Sequence, residues 1–149
     1  MWNSVLMLTL LAVAFSMPAC RKAGRGTGDG YPVLTSPSGT WRALRATGRR
    51  PGDTRDVWAI GILDDDGNLV FEDQTDFVAL LNIHLGWDDG DRLWLYNSDD
   101  GRLYYYARGH QGWKRTAYDK AMAEGPDPLA PPVGFLPEHA RKHWTGDSR

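Results

Sequence analysis

Short runs of β-branched and aromatic residues, each closed by a turn signal, follow one another from residue 31 to residue 118. In the run VWAIGIL, Trp58, Ile60 and Ile62 recur at every second position, the spacing of one face of a β-strand. The intervening segments are rich in Asp and Gly, as in DDDGN (64–68), and this chemistry favours hairpin turns. The predicted strands lie at residues 31–35, 40–47, 57–63, 69–73, 83–87, 92–98, 102–108 and 112–118.

Short strands joined by tight turns are typical of antiparallel all-β domains. We expect a mostly β fold of about 7–8 strands, an antiparallel meander that forms a small sandwich or barrel. One run, FVALL (77–81), is ambiguous between a short helix and the start of the strand that ends at Trp87. At 42% apolar and 11% aromatic residues, the chain can build a core without disulfides.

The strand pattern ends before the C-terminal part of the chain. DKAMAEG (119–125) predicts one or two helical turns, and the proline-rich residues 126–134 predict an extended segment on the domain surface. LPEHARKHW (136–144) predicts a short C-terminal helix, because Pro137 stands at an early position where its missing N–H costs little. We expect Trp144 to hold this helix against the body of the domain.

Two stretches resemble blade strands of TolB-type or WD-type β-propellers: TSPSGTW (35–41) and the W-D-D-G and S-D-D-G turns within residues 85–106. The resemblance implies a propeller-blade-like arrangement. Because a propeller needs four or more blades, we expect a single blade-like meander closed into its own domain. The same layout is also similar to small uncharacterised bacterial envelope proteins, a resemblance that implies no activity.

The N-terminus carries an apolar run, VLMLTLLAVAFSM (5–17), without a single charge. Thirteen residues are too few for a membrane-spanning helix, which takes about 20. The run fits the apolar core of a secretory signal. The alternative is a buried helix of the mature fold.

Cys20, the only cysteine of the chain, lies three positions after the end of this run. Met17-Pro18-Ala19-Cys20 resembles the bacterial lipobox. The resemblance implies that a signal peptide (1–19) is removed and that Cys20 receives a diacylglyceryl group and an acyl chain such as palmitate. The alternative is a free cysteine in a loop.

The lipobox resemblance sets the expected domain organisation and location. A lipidated cysteine and Gly-rich flexible tether (20–30) would precede one β-rich domain (31–149) with its proline-rich segment and C-terminal helix. The resemblance implies a bacterial cell envelope lipoprotein attached to a membrane through Cys20. Because Arg21 rather than Asp follows the cysteine, the outer membrane facing the periplasm is favoured over the inner membrane.

Acidic residues concentrate in residues 64–101, which contain eleven Asp or Glu and one Arg. If the turns converge, their carboxylates could hold calcium or another divalent metal, although DDDG lacks the spacing of an EF-hand loop. The other interpretation is that Asp and Gly are simply favoured in hairpin turns. The turn aspartates are Asp64, Asp65, Asp66, Asp88, Asp89, Asp91, Asp99 and Asp100.

No motif for catalysis or for a cofactor is present. His139 and His143 share a face of the predicted helix, but Ala140 stands where the zinc-protease pattern H-E-x-x-H needs a glutamate. The sequence also lacks G-x-S-x-G, a P-loop and a dinucleotide fingerprint. We therefore assign no catalytic residue, no metal ligand and no cofactor.

Aromatic residues crowd into the predicted strands 92–98 and 102–108, whose two faces are both apolar. One face must then be covered or serve for recognition. Cover by the C-terminal residues 135–144 is one interpretation, and a binding surface is the other. No basic stripe accompanies the rings, so nucleic acid is not an expected partner. The candidate binding residues are Trp87, Trp94, Tyr96, Tyr104 and Tyr106.

These features predict a membrane-anchored envelope lipoprotein that binds a protein partner in the envelope or has a structural role there, without catalysis. A glycan-binding or small-ligand module that uses exposed Trp and Tyr rings is the first alternative. A metal-dependent hydrolase that uses the turn aspartates is the second.

Overall fold

A computed structural model describes residues 31–50 and 52–145 of the chain. The predicted signal peptide (1–19), Cys20 and the tether that ends at Gly30 lie outside the described residues. The described chain forms eight strands, two 3-10 helices and one α-helix. The strands are β1 (Leu34–Thr35), β2 (Arg42–Arg49), β3 (Asp56–Leu63), β4 (Leu69–Asp73), β5 (Ile83–Trp87), β6 (Leu93–Asn97), β7 (Arg102–Gly109) and β8 (Gly112–Ala117).

The strands form two four-stranded sheets, ordered β1-β2-β3-β4 and β5-β6-β7-β8, and all neighbours are antiparallel. The predicted mostly β fold of antiparallel meanders is confirmed. Because β4 and β5 do not pair, the two sheets stay separate and form a sandwich rather than one closed meander. Each sheet is a four-stranded antiparallel meander.

The break between the sheets falls in the ambiguous run FVALL, which is neither a helix nor a strand. Its backbone is held against β3: Trp58 N donates to the carbonyl of Phe77 at 2.6 Å, and Ala79 N donates to that of Asp56 at 2.9 Å. Val78 forms only an isolated bridge, to Val57. The run therefore crosses from one sheet to the other.

The main core lies between the two sheets. The residues predicted to share one face of β3, Trp58, Ile60 and Ile62, all point into it. Leu93 and Leu95 come from the second sheet. The alternation that predicted the strand thus also predicted its buried face.

A second cluster covers the outer face of the second sheet. Trp94, Tyr96 and Leu103 pack there against the C-terminal segment, whose buried residues include Leu136 and Ala140. The segment contains 3-10 helices Lys120–Ala123 and Val133–Phe135 and the helix α1 (Glu138–Thr145). The interpretation that this segment covers the second aromatic face is confirmed. Within the described residues, no helix has the length and hydropathy to span a membrane.

Candidate functional site

Three of the five predicted binding rings have no surface to offer a partner. Trp94 and Tyr106 are fully buried, and Tyr96 is 4% exposed. Tyr106 faces the core between the sheets, whereas Trp94 and Tyr96 lie beneath the C-terminal segment. Their burial corrects the expectation that they are presented for recognition. In this fold the three rings are part of the main core and of the cluster beneath the C-terminal segment.

The other two rings, Trp87 and Tyr104, are partly buried and pack against the main core. Trp87 Nε1 donates to the carbonyl of Leu34 at 3.0 Å and so joins β5 to β1. The Tyr104 ring lies edge-on to Phe77, with 5.4 Å between ring centroids. A binding role for Trp87 or Tyr104 stays a prediction, while their contacts here are structural.

The turn aspartates hold their turns through hydrogen bonds. Asp88 is the clearest case: it accepts from Gly90 N at 2.9 Å, Arg92 N at 3.0 Å, Arg92 Nε at 2.7 Å and Trp94 Nε1 at 2.8 Å. Burial raises the pKa of Asp88, but the hydrogen bonds from Trp94 and Arg92 lower it by more, so the pKa lies below its usual range. Asp88 is therefore ionised at neutral pH with its oxygens already occupied.

Two other turn aspartates also accept backbone hydrogen bonds, Asp64 within its own turn and Asp99 from a distant segment. Asp64 accepts from the backbone N–H of Asn68 at 2.7 Å, and Asp99 accepts from that of Asn82 at 2.6 Å. The described residues bring together no group of three or more His, Cys, Asp or Glu that could hold a metal ion. His139 and His143 lie beside the rings of Tyr96 and Trp144 instead. The interpretation of the aspartates as hairpin residues accounts for these contacts.

A buried polar group that the sequence analysis did not single out links the two sheets. Asp73, at the end of β4, accepts from Tyr106 Oη at 2.9 Å, from Arg115 Nη1 at 2.9 Å and from Thr75 Oγ1 at 2.6 Å. Burial raises the pKa of Asp73, but Thr75, Arg115 and Tyr106 together hold it below its usual range. Because these partners stand up to 42 positions apart, no local pattern reveals the group.

One concave feature of the described residues is a cleft at the sheet edges. β1 and β5 are each the first strand of a sheet, and the cleft of about 210 Å³ opens between them. We call it the edge cleft. It is lined by Tyr31, Pro32, Leu34, Arg45, Ile83, His84, Leu85 and Phe135.

Arg45 of β2 supplies the charge of the edge cleft. Its guanidinium carbon lies 3.8 Å from the ring centroid of Tyr31 and 4.6 Å from that of Trp58, within cation–π distance. Its Nη1 donates to the carbonyl of Ile83 at 2.7 Å. Within the part of the chain that the structure describes, no carboxylate forms a salt bridge with Arg45. Burial lowers the pKa of Arg45, as expected for a cation that has lost part of its hydration.

His84 contributes the second polar group of the edge cleft. Its Nε2 atom is buried and has no hydrogen-bond partner among the described residues. Burial lowers the pKa of His84, and the charges of Arg45 and His139 lower it further. The imidazole is therefore neutral at pH 7, so Arg45 is the cation of the cleft.

Exposed apolar residues gather in the chain segments beside the edge cleft. Tyr31 is 37% exposed, Val33 is 52% exposed and Val133 is 46% exposed. Tyr31 lines the cleft itself, and Val133 lies two positions from Phe135, which also lines it. The only sign of the edge cleft in the sequence was Arg45, a charged residue within the predicted strand TWRALRAT. The sequence did not show which residues Arg45 faces.

The geometry thus favours the edge cleft over the predicted rings as the candidate binding site. It combines a cation, a neutral imidazole and apolar walls, which suits recognition of an anionic group on an apolar body. A comparison of the chain with protein-family models found no match, and neither did comparisons with curated proteins and with solved structures.

Proposed function

We propose that the protein is a lipoprotein of the bacterial envelope, anchored through Cys20, whose β-sandwich binds a protein partner without catalysis. The observation that carries the proposal is the position of the only cysteine, three positions after an uncharged run of thirteen residues. Acyl chains on Cys20 would each contribute about 0.8 kcal/mol per buried methylene to membrane binding, enough for firm attachment when two or more are present. Arg21 after the cysteine favours the outer membrane, with the domain in the periplasm.

The buried acidic side chains are engaged by the fold itself. Asp73 and Asp88 are ionised and accept several hydrogen bonds each from their own fold. A general acid must instead hold a proton near the working pH. These carboxylates are thus suited to holding the structure together.

The binding surface in this proposal is the edge cleft with its exposed apolar neighbours Tyr31, Val33 and Val133. Apolar and aromatic residues around a concave site are typical of protein–protein contacts. Tyr31 is also where the proposed tether enters the domain, so a partner in the envelope would meet this surface next to the anchor.

One observation favours the glycan-binding alternative. A shallow groove of about 490 Å³ lies on β7 and β8, and Tyr105 lines it together with Gln111, Lys114 and Thr116. Tyr105 stands opposite Thr116 across the two strands. An aromatic ring flanked by hydrogen-bonding side chains is an arrangement on which a sugar ring can stack.

The anchor is tested by producing the full chain in a bacterium supplied with a clickable palmitate analogue, and separating inner and outer membranes. We expect labelled protein in the outer membrane, and loss of both label and membrane attachment in Cys20→Ala. Ser16→Ala, in the same segment, is the matched control and should stay labelled. Unlabelled protein in the cytosol would refute the proposed anchor and the envelope location.

The partner is then sought by crosslinking in intact cells. An envelope protein that is captured by the native chain, and not by a variant with Tyr31→Ala and Val33→Ala, would support the binding role. Capture that both chains show equally would place the partner on another surface.

A further inference from the structure

The edge cleft contains a cation whose charge the described fold does not neutralise. Arg92 and Arg115, for example, form salt bridges with aspartates of the domain, whereas Arg45 forms none among the described residues. Arg45 contacts the rings of Tyr31 and Trp58 and donates to the Tyr31 hydroxyl and the Ile83 carbonyl, none of which carries a formal charge. A guanidinium has five N–H donors, and contacts with ring faces do not require them. Arg45 therefore keeps donors for an anion.

The size of the edge cleft limits what can enter it. Its volume of about 210 Å³ is below the range of roughly 300–1,000 Å³ that pockets for whole small-molecule ligands usually have. A single side chain or a group of similar size fits such a space. The walls formed by Leu85, Phe135 and Pro32 are apolar, so the group should carry methylenes as well as its charge.

Among planar anions, a carboxylate suits a guanidinium best in a protein–protein contact, because two parallel N–H···O bonds can form. We propose that the edge cleft binds the carboxylate of an acidic side chain, Glu or Asp, of the protein partner, with Arg45 as its ion-pair partner. The inference rests on the proposed protein-binding function and names the chemistry that the partner must bring. The exposed residues Tyr31 and Val133 would then contact apolar residues on either side of that acidic residue.

The probes are N-acetylglutamate N-methylamide and its isosteric uncharged analogue, N-acetylglutamine N-methylamide. Each is titrated into the ¹⁵N-labelled full chain in a non-ionic detergent, and the backbone amide shifts of Ile83, His84 and Leu85 are followed. We expect the glutamate compound to bind about tenfold more tightly, because a charge-assisted hydrogen bond is about twice as strong as a neutral one. Equal affinity for the two compounds, or shifts confined to other residues, would overturn the proposal.

Arg45→Gln should remove the preference for the glutamate compound. Arg49→Gln is the matched control, because Arg49 lies on the same strand and pairs with Asp56 outside the cleft. An equal loss in both variants would contradict the assignment. Since Arg45→Gln could impair folding, the comparison of the two probes on the native chain decides the matter independently.

Three further outcomes separate this inference from related ones. Tighter binding of N-acetylleucine, whose carboxylate is a chain terminus, would overturn the assignment to an acidic side chain. If the glutamate probe fails while crosslinking still captures an envelope partner, the cleft assignment falls and the proposed function stands. If the probe binds but palmitate labelling fails, only the envelope location falls.

Discussion

The hydroxyl of Tyr106 donates a buried hydrogen bond of 2.9 Å to the carboxylate of Asp73, and so joins the last strand of one sheet to the third strand of the other. Arg115 binds the same carboxylate oxygen from β8. The sandwich is thus held by an ionic group at one end as well as by its apolar core. Burial, the charge of Asp73 and the hydrogen bond to Asp73 together raise the pKa of Tyr106, so its hydroxyl remains protonated and can donate.

Removal of the Tyr106 hydroxyl should weaken this link. We expect Tyr106→Phe to lower the free energy of unfolding by about 1–3 kcal/mol, because Asp73 loses a hydrogen bond in a buried site. Urea unfolding measures the change. Tyr105→Phe, one position along the same strand and facing the opposite side, is the control. A loss of the same size in both variants would show that the hydrogen bond contributes little.

The stability of the protein should depend on the ionisation of Asp88. Its pKa is lower in the folded state than in the unfolded chain, so its stabilising effect is present above the unfolded value and is lost as pH falls through the folded value. We expect Asp88→Asn to be less stable at pH 7 and to lose less stability than the native chain between about pH 5 and pH 2. Urea unfolding across this range tests it. Asp89→Asn, at an exposed position of the same turn, is the control, and an equal loss of stability at pH 7 in both variants would contradict the role of Asp88.

Gly86 leaves room for Phe135, which fixes the C-terminal segment next to the edge cleft. A Cβ atom at position 86 would collide with the Phe135 side chain. We expect Gly86→Ala to lower the free energy of unfolding by about 1–3 kcal/mol through overpacking. Gly109→Ala, where a Cβ meets only a distant backbone atom, should cost less.

The collision at Gly86 can be checked by a double mutant. If Gly86→Ala acts through Phe135, the combination with Phe135→Gly, which also removes the Phe135 Cβ atom, should destabilise by less than the sum of the two single changes. Strict additivity in thermal unfolding would count against the contact.

The cover of the second sheet depends on Leu136, which is almost fully buried against Trp94 and its neighbours. Leu136→Ala should lower the free energy of unfolding by about 2–5 kcal/mol, the usual cost of a core leucine. Val133→Ala, at an exposed position of the same segment, should change it by less than about 0.5 kcal/mol. Comparable losses at both positions would refute the described packing.

Local chemistry determined where the strands lie. The predicted strands 69–73 and 83–87 coincide with β4 and β5, because Asp-Gly turns and alternating apolar residues act within a few positions of each other. The same local reasoning predicted the C-terminal helix, which begins directly after Pro137. The alternation in the aromatic strands also indicated that both of their faces are apolar, so that one had to be covered or serve for recognition.

Only the tertiary structure decided which partners these elements meet. That Trp94, Tyr96 and Tyr106 are core residues, and that FVALL crosses between two sheets, depends on contacts between distant segments. Asp73 meets Tyr106 and Arg115, and Arg45 meets Tyr31 and Ile83, across separations that carry no periodic signal. Periodicity assigns a side chain to a face of its strand, but the packing of one sheet on another decides what that face contacts.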